Sequence, residues 1–240
     1  MKKSIYCLII TILVTLSYPE CSADEMTVTP NVFISSRNFE YSVSNGGVKG
    51  NIDSIGLGIT GTYQRFYIDL SGENTPSATD ESTVNLLPSE AADFRRTDFA
   101  ASLGYAVNES ISTFIGYKYG KTTITELYAS PVAGSKIGLQ AKGFFIGAGG
   151  GWSVRDWGLF SFSAAYANMN ALYQDVAIRS AKGDASGTSL GIKWKAPIIK
   201  NFSYDLSVMR HDYYYKNFDE FDTDISEQIL SLRIGLSYRF

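Results

Sequence analysis

The chain closes on ILSLRIGLSYRF, where Leu230, Leu232, Ile234, Leu236, Tyr238 and Phe240 alternate with Ser231, Arg233, Gly235, Ser237 and Arg239. A period of two is that of a strand with one apolar and one polar face. The same alternation, bounded by turn residues, predicts ten strands over residues 27–41, 51–63, 66–74, 94–106, 110–122, 137–153, 158–173, 186–197, 201–215 and 225–240. Each is long enough to cross a bilayer, since a tilted membrane strand needs about 9 to 11 residues. The connections alternate in length. Short turns are expected at Gln64-Arg65, Val107-Asn108-Glu109, Arg155-Asp156-Trp157 and Ile198-Ile199-Lys200, and long polar ones at 42–50, 75–93, 123–136, 174–185 and 216–224.

A soluble β-sandwich would alternate as well, but its apolar faces pack on one another and few aromatics need sit at strand ends. Here Tyr63, Phe66, Tyr105, Trp152, Phe202, Tyr238 and Phe240 gather beside the short turns. That distribution reads as an aromatic girdle at a membrane interface. An open sheet edge is intolerable in lipid, so the last strand is expected to pair with the first. The fold class that follows is all-β: a closed, ten-stranded, antiparallel transmembrane barrel.

Composition adds a compartment. Met1-Lys2-Lys3, an apolar run from Ile5 to Leu16 and the small residues Cys21-Ser22-Ala23 before Asp24 fit a secretory signal peptide over 1–23, leaving 24–240 as the barrel domain. The apolar run is too short for a membrane helix, which needs roughly 17 to 25 residues. Tyr18-Pro19-Glu20 also fits poorly with a lipoprotein signal at Cys21. Both cysteines, Cys7 and Cys21, lie in the segment to be removed, so thiol chemistry and cysteine metal sites are excluded from the mature chain. Removing Lys2, Lys3 and Glu20 leaves 19 basic and 23 acidic residues, a balance that offers no basic patch for nucleic acid.

The strand pattern, girdle and ending together resemble a bacterial outer-membrane β-barrel. The alternate apolar residues leading to Tyr238 and Phe240 are similar to the C-terminal signal read by the barrel assembly machinery of Gram-negative bacteria. The resemblance implies residence in the outer membrane, short turns on the periplasmic side, long loops outside, and contact with outer-membrane lipid and lipopolysaccharide. It covers essentially everything after residue 24 and specifies architecture rather than activity. Omptin proteases and an opacity-type adhesin share a ten-stranded count.

The face opposite the apolar one carries Arg37, Asp69, Glu73, Arg96, Asp98, Lys118, Lys193, Lys195, Asp205, Glu227, Arg233 and Arg239, all expected in the lumen. Both signs occur, which suits either a charged pore constriction or a salt-bridged plug; a barrel of ten strands is narrow enough to favour the plug. Turn centres at Asn108 and Ile199 would pair Asp98 with Lys118 and Lys193 with Asp205. A turn centred on Asp156 would set Gly147, Gly149 and Gly151 against Ala165, Ser163 and Ser161, leaving space for Phe33, Tyr67 and Phe114 or for water.

Candidate chemistry is sparse. GFFIGAGGGW lacks the following helix that a phosphate loop needs. His211, the sole histidine, stands beside Asp212 at the outer end of its strand. A histidine oriented by a carboxylate can act as a base at neutral pH, but the omptin pattern places an Asp two residues before the His, where this chain has Met209. The acidic stretch DYYYKNFDEFDTD lacks EF-hand spacing and reads as a solvated loop, with no metal site. No cofactor motif is present. The sequence thus points to a non-enzymatic envelope protein, serving integrity, surface contact or slow solute passage; the alternative is a rim hydrolase, an omptin-like protease or lipid-modifying enzyme, using His211. In either case the Ser- and Pro-rich connection 75–93 is the expected site of nicking by protease added to intact cells, and its Leu86-Leu87 pair could fold over the barrel mouth as a lid.

Overall fold

The structure, a computed structural model, describes residues 26–43, 46–75, 78–82, 90–126, 136–175, 179–222 and 224–240. The signal segment 1–23 and the Leu86-Leu87 pair lie outside the described residues. Eleven strands follow one another: β1 (Thr27–Val43), β2 (Gly46–Tyr63), β3 (Phe66–Asn74), β4 (Ala78–Ser82), β5 (Glu90–Ala106), β6 (Ile111–Glu126), β7 (Lys136–Ser153), β8 (Leu159–Asp175), β9 (Arg179–Ile199), β10 (Phe202–Lys216) and β11 (Ile225–Tyr238). All pairings are antiparallel and join chain neighbours, except that β3 pairs with β5 instead of β4 and β1 closes on β11. The sheet is therefore a closed barrel of ten staves. Strand β4 pairs with β5 further along the β3 stave, beyond the break that follows Asn74.

Alternation sorts the side chains as the sequence predicts. Ile55, Leu57 and Ile59 on β2, Phe66 and Ile68 on β3, Ile115 and Tyr117 on β6, and Leu230 to Leu236 on β11 point outward and are exposed. In a soluble protein so continuous an apolar surface would drive aggregation; here it is the face that meets lipid. The outward face turns polar at a common level: Ser36, Asp53, Thr97, Lys142, Asn168, Thr188, Arg210 and Gln228 each stand two residues beyond the belt's Ile34, Ile55, Phe99, Phe144, Tyr166, Leu190, Val208 and Leu230, with Leu172 and Tyr214 further out on their strands. The span Leu230 to Tyr238 on β11 gives a belt about 20 Å tall, at about 3.3 Å per residue and a tilt of about 40°.

The girdle forms at the tight-turn end. Phe66 meets Tyr105 at 5.1 Å, Trp152 stacks with Phe160 at 6.3 Å, and Phe202, Tyr238 and Phe240 follow at 4.7 Å spacings. Phe160, Trp194 and Tyr204 extend it. The final residue is tied down by the Phe240 amide donating to the Val28 carbonyl, 3.0 Å. The turn after β7 is a single 3-10 turn, Arg155–Trp157, ended by Gly158 at φ 97°. A Cβ there would lie 2.1 Å from the Lys195 carbonyl oxygen, so only glycine fits.

Two expectations need correction. Residues 42–43, 46–50, 78–82, 90–93, 123–126, 136, 174–175, 179–185 and 216, assigned to loops, are strand. The staves continue past the apolar belt because their inward side chains still find a core to pack in, so polar outward residues do not end a strand. The turn centres also shift. Strands β5 and β6 pair Asp98 with Gly120, and β10 pairs Asp205 with Lys195, one residue beyond the expected centres. Val107 and Asn108 amides both reach back to the Ile111 carbonyl, which moves the first turn, and an irregularity at Phe202/Ser203 moves the second. The turn at Asp156 is as expected: Gly147, Gly149 and Gly151 pair with Ala165, Ser163 and Ser161.

Candidate functional site

The site with a chemical character of its own is the lumen, and it is layered. From within the outer part of the belt to just above its edge, three guanidiniums and three carboxylates cross the lumen. Arg37 Nη1 donates to Asp98 Oδ2 at 2.5 Å, and the same guanidinium contacts Glu73. Arg96 lies 3.3 Å from Asp98 through Nε and 3.4 Å from Glu227 Oε1 through Nη1. Arg233 Nη2 reaches Glu73 Oε2 at 2.9 Å, while its guanidinium covers the Phe33 ring at 3.9 Å. Ser35 and Ser54 donate to Glu73 Oε1, and Tyr215 donates to Glu227 Oε2 at 3.3 Å. The sum of charge is zero and the groups are buried except Arg233, which is partly so; Glu227 is 0% exposed. Arg96 on β5 and Glu227 on β11 are four staves apart, so the network spans the lumen as a strut.

A second strut crosses the other half. Lys118 on β6 donates to the Tyr213 hydroxyl on β10 at 3.2 Å, with its ammonium 4.8 Å from the Tyr213 ring centre. The Tyr213 hydroxyl stands 2.7 Å from Ser189 Oγ, and Ser189 Oγ 2.8 Å from His211 Nδ1. Since Lys118 only donates, the proton order that satisfies the chain is Lys118 to Tyr213 to Ser189 to His211, with Nδ1 accepting.

Apolar packing surrounds and tops these struts. Ile229 and Met169 at their level and Leu139, Tyr173 and Ile225 further out belong to one buried cluster, and Phe218 from the β10–β11 connection joins it, stacked on Phe221 at 4.6 Å. Asp219 secures that fold-back, its carboxylate accepting from the Lys182 amide at 2.7 Å. Below the struts, Lys193 Nζ pairs with Asp205 Oδ1 at 3.5 Å and Thr60 donates to Asp69 at 2.6 Å.

Five inward aromatics sit directly opposite glycines on the next stave: Phe33 on Gly56, Tyr67 on Gly104, Phe114 on Gly147, Phe145 on Gly116 and Tyr213 on Gly187. Each ring lies flat across the place a side chain would occupy, with ring atoms 1.8 to 2.4 Å from an ideal Cβ. This arrangement fills a barrel without widening it. The small wall of β7 and β8 thus takes Phe114.

Of the sequence-derived lumen charges, Arg37, Asp69, Arg96, Asp98, Lys118, Lys193, Asp205 and Glu227 are buried inside, and Lys195 and Arg233 are partly so. Arg239 instead lies past the last ladder residue and is exposed. Asp98 and Lys118 do not meet: each bonds across the lumen rather than to its strand neighbour. Lys193 and Asp205 do pair, on a diagonal, because the register shift puts Ser207 opposite Lys193. The dyad of His211 with Asp212 does not form. Neighbouring strand residues point to opposite faces, so His211 is inside at 1% exposure while Asp212 turns outward to Arg210, 3.0 Å. The partners of His211, Ser189 and Tyr213, lie on its own face, Ser189 on the adjacent stave and Tyr213 two residues along β10. The alternation of QDVAIRSAKGDASGTSLG signals their face, but only the register brings them together.

No protein-family description matches the chain, and no curated protein matches it in sequence. Solved structures do match in fold. The outer membrane protease OmpT from Escherichia coli is similar over 92% of this chain and 99% of that chain, with a TM-score of 0.65 and 11% identity. The translocator domain of the autotransporter NalP from Neisseria meningitidis matches over 93% and 91%, with a TM-score of 0.53 and 11% identity. At such identity the likeness is one of fold. Together with the apolar belt and girdle, that fold is the one of integral β-barrels of the Gram-negative outer membrane.

Proposed function

We propose that this chain is a plugged, non-enzymatic outer-membrane barrel that acts through its outer surface, in surface contact and envelope integrity. The observation that carries the reading is the filling of the lumen by two buried polar struts and a buried apolar cluster packed beside and above them. The staves supply the surface. Residues 36–43 of β1 and 179–188 of β9 rise past the belt, adding about 20 Å of rigid wall outside the membrane. The Ser189–His211 contact supports a packing role rather than hydrolysis, because His211 is 1% exposed and the carboxylate beside it in sequence, Asp212, turns outward to Arg210. The protease activity of OmpT therefore does not extend to this chain on fold alone. Tyr238 and Phe240 serve delivery to the barrel assembly machinery.

The mature protein, refolded and inserted in planar bilayers, is expected to give no stepwise conductance. In whole cells His211→Ala is expected to leave proteolysis and lipid A modification unchanged. Regular conductance steps would replace the plug by a channel, and loss of either activity would establish the hydrolase.

A further inference from the structure

Phe218 differs from the other aromatics of the lumen in where it comes from. Phe33, Tyr67, Phe114, Phe145 and Tyr213 belong to staves, whereas Phe218 lies on the β10–β11 connection and joins the buried cluster from the outer end. Asn217, at φ 58°, makes the inward bend, a conformation that asparagine tolerates. Small residues build the seat: Gly183 on β9 stands opposite Ala171 on β8, and Ala181 opposite Tyr173. A Cβ at Gly183 would lie 2.8 Å from the Phe218 ring, so the ring takes up side-chain space that β9 leaves open. Tyr173 and Phe221 flank it, with ring centroids 6.4 and 4.6 Å away.

The polar ties of this strap are few. Among the described residues they run to one short piece of β9: the Lys182 amide donates to the Asp219 carboxylate at 2.7 Å, the Asp219 amide to the Lys182 carbonyl at 3.0 Å, and Asn217 Nδ2 to Asp184 Oδ2 at 3.0 Å. Asn217, Asp219 and Glu220 are exposed on either side of the buried ring, so these ties break in reach of water while the stave ladders stay intact. The rim around the strap is acidic. Asp184, Asp219, Glu220, Asp222 and Asp224 are exposed against Lys182 and Lys216, while Arg179 stands opposite Asp175 in the ladder.

We propose that the seat of Phe218 is a binding site for an aromatic side chain on a basic, extended peptide segment of a partner, which enters from outside and takes the place of the chain's own ring. Aromatic side chains that fill desolvated pockets carry much of the affinity of an interface, and an acidic rim draws basic segments and repels acidic ones. Phe218 is the internal competitor, so the apparent affinity follows the fraction of molecules whose strap is released. The site deepens the surface-contact reading, on which it rests, by naming the partner's chemistry. Conductance steps would remove the plug and leave the seat, whereas a peptide that fails to bind would remove the seat and leave the plug.

The test titrates the mature protein in phosphatidylcholine nanodiscs with the peptide amides Lys-Phe-Lys, Lys-Ala-Lys and Glu-Phe-Glu, each capped with a trifluoroacetyl group and followed by fluorine NMR. Hydrogen exchange at the Lys182 amide, which Asp219 holds, reports the strap. Lys-Phe-Lys is expected to bind saturably and to speed that exchange, with the other two peptides weaker by at least about 5-fold. Phe218→Ala, which removes the competitor, is expected to tighten Lys-Phe-Lys about 10-fold, and Ala171→Phe added to it fills the seat and abolishes the gain. Asn217→Ala loosens the strap without altering charge and is expected to tighten binding about 3-fold; it decides the matter if Phe218→Ala does not refold. Equal binding of Lys-Phe-Lys and Lys-Ala-Lys would overturn the proposal, as would binding that leaves Lys182 exchange unchanged or an affinity that neither strap variant raises.

Discussion

Replacing Glu73 by Leu is expected to cost about 3 to 5 kcal/mol of stability, the loss that follows when one partner leaves a buried ionic network. Glu73 accepts from Arg37, Arg233, Ser35 and Ser54, and its side chain is 0% exposed. Without it Arg37 keeps Asp98 while Arg233 keeps only its contact with the Phe33 ring, so three guanidiniums face two carboxylates in a sealed space. The measurement is equilibrium unfolding in urea, in detergent or vesicles, followed by tryptophan fluorescence. Removing a matching cation restores the balance: Arg37→Met combined with Glu73→Leu is expected to recover part of the loss. An exposed carboxylate, Asp53→Asn, serves as the control and is expected to change stability by less than about 0.5 kcal/mol. A loss below about 1 kcal/mol for Glu73→Leu would mean that water, not protein, solvates these groups.

The contrast between Glu73 and Asp53 shows what the sequence could convey. Alternation fixes a residue's face, because a strand points successive side chains in opposite directions; that is why the lipid-facing residues and the inward position of Asp98 and Lys193 are legible without coordinates. Partners are another matter. Arg37 meets Asp98 from three staves away and Arg96 meets Glu227 from four, distances that depend on barrel curvature, which leaves no local trace. Register sits between the two. The Asp156 turn is legible because Gly158 and the flanking Trp157 mark it, whereas the turns near Asn108 and Ile199 each contain an extra bonded residue that shifts the ladder by one. His211 illustrates the whole problem: its neighbour in sequence, Asp212, is the one residue a strand forbids it to meet.

The glycines opposite inward aromatics make a second, sharper demand. Gly187 pairs with Tyr213, and a Cβ there would sit 2.2 Å from the Tyr213 ring and 2.4 Å from the Asp212 carbonyl oxygen. The ring has no free direction to retreat, because its hydroxyl is held by Lys118 and Ser189 and its face by the Lys118 ammonium. Gly187→Val is therefore expected to cost at least the 1 to 3 kcal/mol or so of ordinary overpacking, and to add the lost strut between β6 and β10. Gly138, also on a strand, has its nearest neighbour atom at 3.5 Å, so Gly138→Ala adds a methyl in ordinary van der Waals contact and is expected to be neutral or stabilising by about 0.4 to 1 kcal/mol. Running both variants through the same urea titration separates the steric argument from any general intolerance of strands to substitution. If the two behave alike, the aromatic–glycine pairing does not constrain the lumen; if only Gly187→Val fails, Tyr213→Ala placed in the same chain should relieve the ring clash but not that with the Asp212 carbonyl, while taking the phenol from Lys118, and its stability should fall between that of Gly187→Val and the native protein.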